Sequence, residues 1–135
     1  MNHYGKLADS LSSRRWHGAS QQEIAHEVDG AKAYERVKVL VDHEIEKANG
    51  ELRKRKLDLI ERLFLPSYQG RLCLTFGSDL LCTVDLQEVK RQITAVISGP
   101  PNHREIARKE FALHQYRPEQ IAVEVVSGLI MGEFS

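Results

Sequence analysis

Three groups of residues in this sequence carry side chains that can do chemistry: six histidines, two cysteines and a basic cluster near the N-terminus. A helical zinc site of the protease type needs two histidines four positions apart. His26 and His43 are each followed by Glu but have no such second histidine. Two cysteines are also too few for a four-cysteine site. The spacing therefore predicts no metal site and no cofactor.

Acid–base catalysis is the enzymatic chemistry that the histidines leave open. His114 could approach His103 or Glu110 on a paired hairpin, in a pocket between sheet and helices. The sequence lacks the G-x-S-x-G nucleophile motif, the GxxxxGKS/T phosphate loop and the G-x-G-x-x-G dinucleotide motif. It therefore favours a chain without catalytic activity, and a small enzyme with a His/Glu site is the third hypothesis.

The two cysteines flank a predicted hairpin with Gly77-Ser78 at its turn. In that register Phe76 lies opposite Asp79 and Cys73 opposite Cys82, so the two thiols would be neighbours. Three interpretations follow: buried free thiols, a cross-strand disulfide, or a redox or metal-sensing pair. We expect buried free thiols, because disulfides are rare in a reducing compartment.

A basic arm precedes a short segment with a helical start. Arg14, Arg15 and Trp16 lie just before Ser20-Gln21-Gln22-Glu23-Ile24-Ala25-His26-Glu27-Val28. These nine residues resemble the first helix of a helix-turn-helix DNA-binding motif, although Asp29 stands where that family has Gly and Gly30 follows. The resemblance implies a DNA-binding regulator that uses residues 14–37, with the arm on phosphates. The 19 basic and 19 acidic residues of the whole chain balance, which argues against a dedicated nucleic-acid-binding protein.

The longest predicted element of the chain is a helix over residues 20–65. Ser20 and Glu23 form a capping box at its start, and Pro66 stops it. Its apolar residues recur with the helical period and form one stripe: Tyr34, Val37, Val41, Ile45, Ala48, Leu52, Leu59 and Leu63.

Such a helix would be about 65 to 70 Å long, whereas a nine-residue strand covers about 30 Å. The helix must therefore break near Gly30 or Gly50, or pack against a second copy. We predict a homo-oligomer, with a dimer favoured, whose interface is formed by Tyr34, Val37, Val41, Ile45, Ala48 and Leu52.

Alternating patterns after Tyr68 predict four antiparallel strands, the third over residues 89–97 and the fourth over 106–116. Pro118 then opens a helix with a broad apolar face: Ile121, Ala122, Val125, Val126, Leu129 and Ile130. The predicted fold is two-layer α+β, with a long N-terminal helix, a four-stranded antiparallel sheet and a C-terminal helix. Residues 1–19 form an N-terminal arm, and 20–135 one domain made of the helix 20–65 and the sheet and C-terminal helix 66–135.

The leading functional prediction is a small, self-associating interaction or regulatory protein without catalytic activity. No run of about 18 apolar residues and no signal-peptide core is present, so we expect a cytoplasmic protein with no membrane contact. A partner protein could bind at the free sheet face or at an edge strand. Nucleic acid is the alternative partner.

Overall fold

The computed structural model describes residues 30–66, 70–77 and 82–134. These ranges contain two helices and five strands, which we number in chain order: α1 (Gly30–Lys54), β1 (Ile60–Leu63), β2 (Leu72–Phe76), β3 (Cys82–Val89), β4 (Gln92–Gly99), β5 (Arg104–Ala112) and α2 (Pro118–Met131). The strands form one antiparallel sheet in the order β1-β2-β3-β4-β5. The predicted two-layer α+β class is confirmed, with five strands in place of the predicted four.

Both helices lie on the same face of the sheet, which we call the helix face. α1 and α2 pack side by side, and their apolar residues interdigitate with alternate residues of the strands. The largest fully buried side chains come from both layers: Val37, Val41, Leu74, Val84, Leu86, Ile93, Ile97, Phe111, Ile121, Val125 and Leu129.

α1 ends at Lys54, so the prediction of a helix up to residue 65 was wrong. Lys56 adopts a left-handed conformation with φ of 58°. The Leu57 N–H donates to the Leu52 carbonyl at 2.9 Å and the Lys56 N–H to the Arg53 carbonyl at 3.1 Å. This bond pair is a Schellman motif, which usually has Gly where Lys56 stands. Because Gly is missing at this position, the sequence did not indicate that the helix ends here.

The residues after this turn form β1, the strand that the sequence analysis missed. Asn49 on α1 holds its first residue: the Asn49 amide donates to the Ile60 carbonyl at 3.0 Å, and the Ile60 N–H donates to the Asn49 Oδ1 at 2.8 Å. Leu63, counted in the helical stripe, lies in β1 opposite Cys73. Leu59 lies half-buried in the connection between the two elements.

The described part of the first helix does not overhang the sheet. Within the described residues α1 has 25 residues, which span about 37 Å, and it continues through Gly50 without a break. The nine residues of β5 span about 30 Å, so sheet and helix have similar lengths. Residues 20–29 lie outside the described residues.

Two hairpins differ from their predictions. The β2–β3 register pairs Phe76 with Cys82 and Cys73 with Asp85, so the predicted Cys73–Cys82 pairing was wrong. The run 89–97 contains a two-residue turn at Lys90 and Arg91, both with positive φ, and is therefore split between β3 and β4. That turn type favours Asn-Gly, which explains why Lys-Arg gave no signal.

The C-terminal helix begins at Pro118 as predicted. Its expected apolar face is buried except for Ile130, which is exposed. Gly132 ends the helix in a left-handed conformation, with φ of 75°. Neither of the two described helices is long and apolar enough to cross a membrane.

Candidate functional site

The six residues of the predicted oligomer interface pack toward the core of their own chain. Three are buried and three are half-buried against the core: Val37, Val41 and Leu52, and Tyr34, Ile45 and Ala48. A buried side chain has no surface to offer a second copy. Self-association and this six-residue interface stay predictions, and only the three half-buried residues keep surface that could meet a second copy.

The residues of the third hypothesis, a His/Glu enzyme, lie far apart. His103 is in the turn before β5, His114 is in the turn after it, and Glu110 lies in β5 opposite Thr94. About 30 Å of strand separates the two turns. The His103 Nε2 is 3.2 Å from the Thr83 hydroxyl, on the sheet face away from the helices. These residues therefore do not converge on a pocket between sheet and helices.

The residues of the DNA-binding alternative, Arg14, Arg15 and Trp16, lie outside the described residues, as does the start of the segment 14–37. Only its last part is described, as the first turns of α1. The alternative therefore stays a prediction.

The sheet face opposite the helices, which we call the polar face, carries the cysteine with the most polar surroundings. The Cys73 thiol donates to the Asp85 carboxylate at 3.8 Å, and the Arg71 guanidinium lies 3.4 Å from the same carboxylate. Burial, followed by the charge of Asp85, raises the pKa of Cys73 to about 11. Burial likewise raises the pKa of Asp85. Because the thiolate is the nucleophilic form, Cys73 is unreactive at neutral pH.

Cys82 lies on the helix face and belongs to the apolar core. Both cysteines are buried free thiols, as expected, but the observed register places them on opposite faces of the sheet. Their side chains therefore point apart and cannot form a disulfide with each other.

A groove of about 500 Å³ lies where β1 ends and α1 passes beside the start of β2. Its wall combines three cations with a short apolar run, and we call it the cationic groove: Lys38, Arg62, Leu63, Phe64, Leu65, Pro66, Gly70, Arg71 and Leu72. The cations come from three different elements. The sequence analysis missed this site because it assigned residues 59–65 to a helix, which would scatter Arg62 and Phe64 around an axis.

Each groove cation has an acidic partner that does not line the groove. Arg62 pairs with Asp42, Arg71 lies 3.4 Å from Asp85, and the Lys38 ammonium lies 2.9 Å from Glu35. All three pairs are partly exposed, so water and salt weaken them.

Tyr34 lines a neighbouring cavity of about 480 Å³, which shares Gly70 and Arg71 with the cationic groove. Its hydroxyl donates to the Leu86 carbonyl at 3.1 Å and accepts from the Leu72 N–H at 3.2 Å. Burial raises the pKa of Tyr34. Leu72 and Leu86 are partners in the β2–β3 ladder, so the hydroxyl bridges their backbone groups and holds Leu72 in the groove wall.

A second surface feature lies at the C-terminal end of α2. Ile130 and Met131, in the last turn, are exposed, and Met131 is 68% exposed. The exposed Ile106 side chain lies beside this turn. Its Cδ1 atom is 3.9 Å from the position that a Cβ would occupy at Gly132. We call Ile106, Ile130 and Met131 the terminal patch.

Glu44 on α1 is a half-buried acid that has one inaccessible carboxylate oxygen. Its Oε1 atom is inaccessible to solvent and has no hydrogen bond. Burial raises its pKa, and the nearby Lys47 and His43 oppose this shift. The atom belongs to neither the cationic groove nor the terminal patch.

Within residues 30–66, 70–77 and 82–134, no three His, Cys, Asp or Glu side chains are arranged to hold a metal ion. No family model matches the chain, and neither a curated protein nor a solved structure shows significant similarity to it.

Proposed function

We propose that this chain is a non-catalytic interaction protein that self-associates through the terminal patch. The observation that carries the proposal is the grouping of three exposed apolar side chains, Ile106, Ile130 and Met131, at one end of the molecule. Grouped apolar surface of this kind marks interaction sites more often than isolated apolar residues do. A patch that meets its own copy forms a closed twofold dimer.

The contact is made by side chains and not by extension of the sheet. β5 is a nine-residue edge strand, and it carries five charged residues of both signs: Arg104, Glu105, Arg108, Lys109 and Glu110. The register shift between Ile97 and Ser98 also distorts its pairing with β4. Charges and bulges on an edge strand disfavour pairing with a further strand.

The dimer should be weak. Three side chains per copy bury much less than the roughly 800 Å² per partner of a stable interface. We therefore expect a mass that depends on concentration and falls to that of the single chain on dilution.

Light scattering across a dilution series tests the proposal on the full chain. Met131→Lys places a charge in the patch, and a cation at a helix C-terminus does not disturb the helix. Val39→Lys is the matched control, because Val39 is an exposed apolar residue on α1. We expect the intact chain and Val39→Lys to dimerise at high concentration and Met131→Lys to remain monomeric. A monomeric intact chain, or a Met131→Lys variant that dimerises normally, overturns the proposal.

A further inference from the structure

We propose that the cationic groove binds an amphipathic anion, a small molecule with an apolar chain and a terminal carboxylate or phosphate. This proposal is independent of self-association, because the groove lies beside β1 and the terminal patch lies beside β5. It rests on the charges, the apolar residues and the size of the groove.

Three cations line the groove. Lys38, Arg62 and Arg71 reach the groove from α1, β1 and the residue before β2, and no carboxylate is among the groove's lining residues. A planar guanidinium group can bind two oxygens of a carboxylate or of a phosphate at the same time. Three cations along one groove, with no carboxylate in its lining, therefore favour a ligand with a negatively charged end.

The apolar residues specify the rest of the ligand. Leu63, Phe64 and Leu65 follow Arg62 directly, and Phe64 is 85% exposed. A phenylalanine left in water contributes nothing to the core. Beside three cations it provides an apolar surface for the uncharged part of a ligand.

The size of the groove limits the ligand to a small molecule. A volume of about 500 Å³ lies within the range of roughly 300 to 1,000 Å³ that small-molecule sites occupy. A medium-length alkyl chain with one charged end fits these requirements.

The existing ion pairs set the strength of binding. A ligand must compete with Asp42 for Arg62 and with Asp85 for Arg71. Both pairs are partly exposed and weak, so a ligand that also buries an apolar chain can displace them. Removing Asp42 should therefore strengthen binding.

Isothermal titration calorimetry of the full chain tests the proposal with four probes: decanoate, decyl phosphate, decanol and acetate. We expect saturable binding of decanoate, of decyl phosphate or of both, and the better of the two identifies the preferred anion. Decanol lacks the anionic group and acetate lacks the long alkyl chain, so each should bind at least tenfold more weakly. No binding of either anion, or equal binding of decanol, overturns the proposal.

Variants then locate the site. Arg62→Gln and Arg71→Gln should each weaken binding about tenfold, because each removes a charge-assisted hydrogen bond. Phe64→Ser should weaken it about as much, and Asp42→Asn should strengthen it severalfold. Arg108→Gln is the control, because Arg108 is an exposed arginine on β5 that pairs with Glu105 at 2.8 Å. An Arg108→Gln effect equal to that of Arg62→Gln, with Asp42→Asn unchanged, would place binding elsewhere and overturn the assignment.

Discussion

Each edge of the sheet carries an ion pair between an edge strand and a helix, and the two pairs differ in their surroundings. Each edge strand carries a cation on the helix face, paired with an acid on the helix that covers it: Arg62 with Asp42 at β1, and Lys109 with Glu124 at β5. At β5 the Lys109 ammonium lies 2.7 Å from Glu124 and over the rings of Phe111 and Tyr116, at 5.4 and 5.5 Å.

Burial separates the two pairs. The Lys109 and Glu124 side chains are 21% and 26% exposed, whereas those of Arg62 and Asp42 are 39% and 56% exposed. The four-residue β1 ends early and leaves the cationic groove, whereas at β5 the Lys109 ammonium is covered by the rings of Phe111 and Tyr116. The same charge pair is thus part of the packing at one edge and part of an accessible surface at the other.

Aromatic residues beside the two edges give the largest contrast. Phe111→Ala removes a fully buried ring that packs edge-to-face on Tyr116 at 5.1 Å, and it should destabilise the fold by about 3 to 5 kcal/mol. Phe64→Ala removes an exposed ring and should change the free energy of unfolding by less than about 0.5 kcal/mol. Chemical denaturation of both variants measures the difference. Equal effects would show that the two edges are packed alike.

Asn49→Ala should have the next largest effect, about 2 to 3 kcal/mol. It removes both hydrogen bonds to Ile60 and leaves a buried N–H and a buried carbonyl without partners. The loss should affect β1 first, so amide hydrogen exchange should increase in β1 before β5. Exchange that increases equally at both edges would contradict a separate attachment of β1.

The core of the fold could be predicted from the sequence, whereas β1 and the cationic groove could not. The periodic apolar residues of α1 and α2 and the alternation in β4 specified the two-layer α+β core, because burial depends on that periodicity. β1 was missed because Lys56 takes a turn position that usually needs Gly, and because its anchor Asn49 is 11 residues away. The cationic groove depends on where β1 ends, so a wrong helix boundary hid it.

Charge removal at the edges should give a smaller contrast. Lys109→Met leaves the Glu124 carboxylate without this partner in a partly buried position and should destabilise the fold by about 1 kcal/mol. Arg62→Met should cost less than about 0.5 kcal/mol, because its pair is more exposed. The matching Glu124→Gln and Asp42→Asn double-mutant cycles separate pairing from packing. A coupling energy that is larger for the Arg62 pair would reverse the comparison.

The smallest effect concerns an acid that belongs to neither edge pair. Burial raises the pKa of Glu44 in the folded chain, so the folded state binds a proton more tightly than the unfolded state. The contribution of Glu44 to stability is therefore greatest at acid pH and is lost as the pH rises through the raised pKa. Glu44→Gln should be nearly neutral at acid pH and stabilising, by less than about 0.5 kcal/mol, at pH 7, because water screens this half-buried carboxylate. Thermal unfolding across this range measures the difference, and a Glu44→Gln variant that is relatively less stable at pH 7 contradicts it.

The central claim is that the cationic groove at the β1 edge is an accessible binding surface, whereas the Lys109–Glu124 pair at the β5 edge is packed against aromatic rings. A titration of the uniformly ¹⁵N-labelled chain with decanoate, followed amide by amide in heteronuclear NMR spectra, tests both halves at once. We expect saturable shifts at residues 62–65 and 70–72 and around Lys38, with β5 unchanged. Shifts centred on β5, or an absence of saturable shifts, would contradict the account.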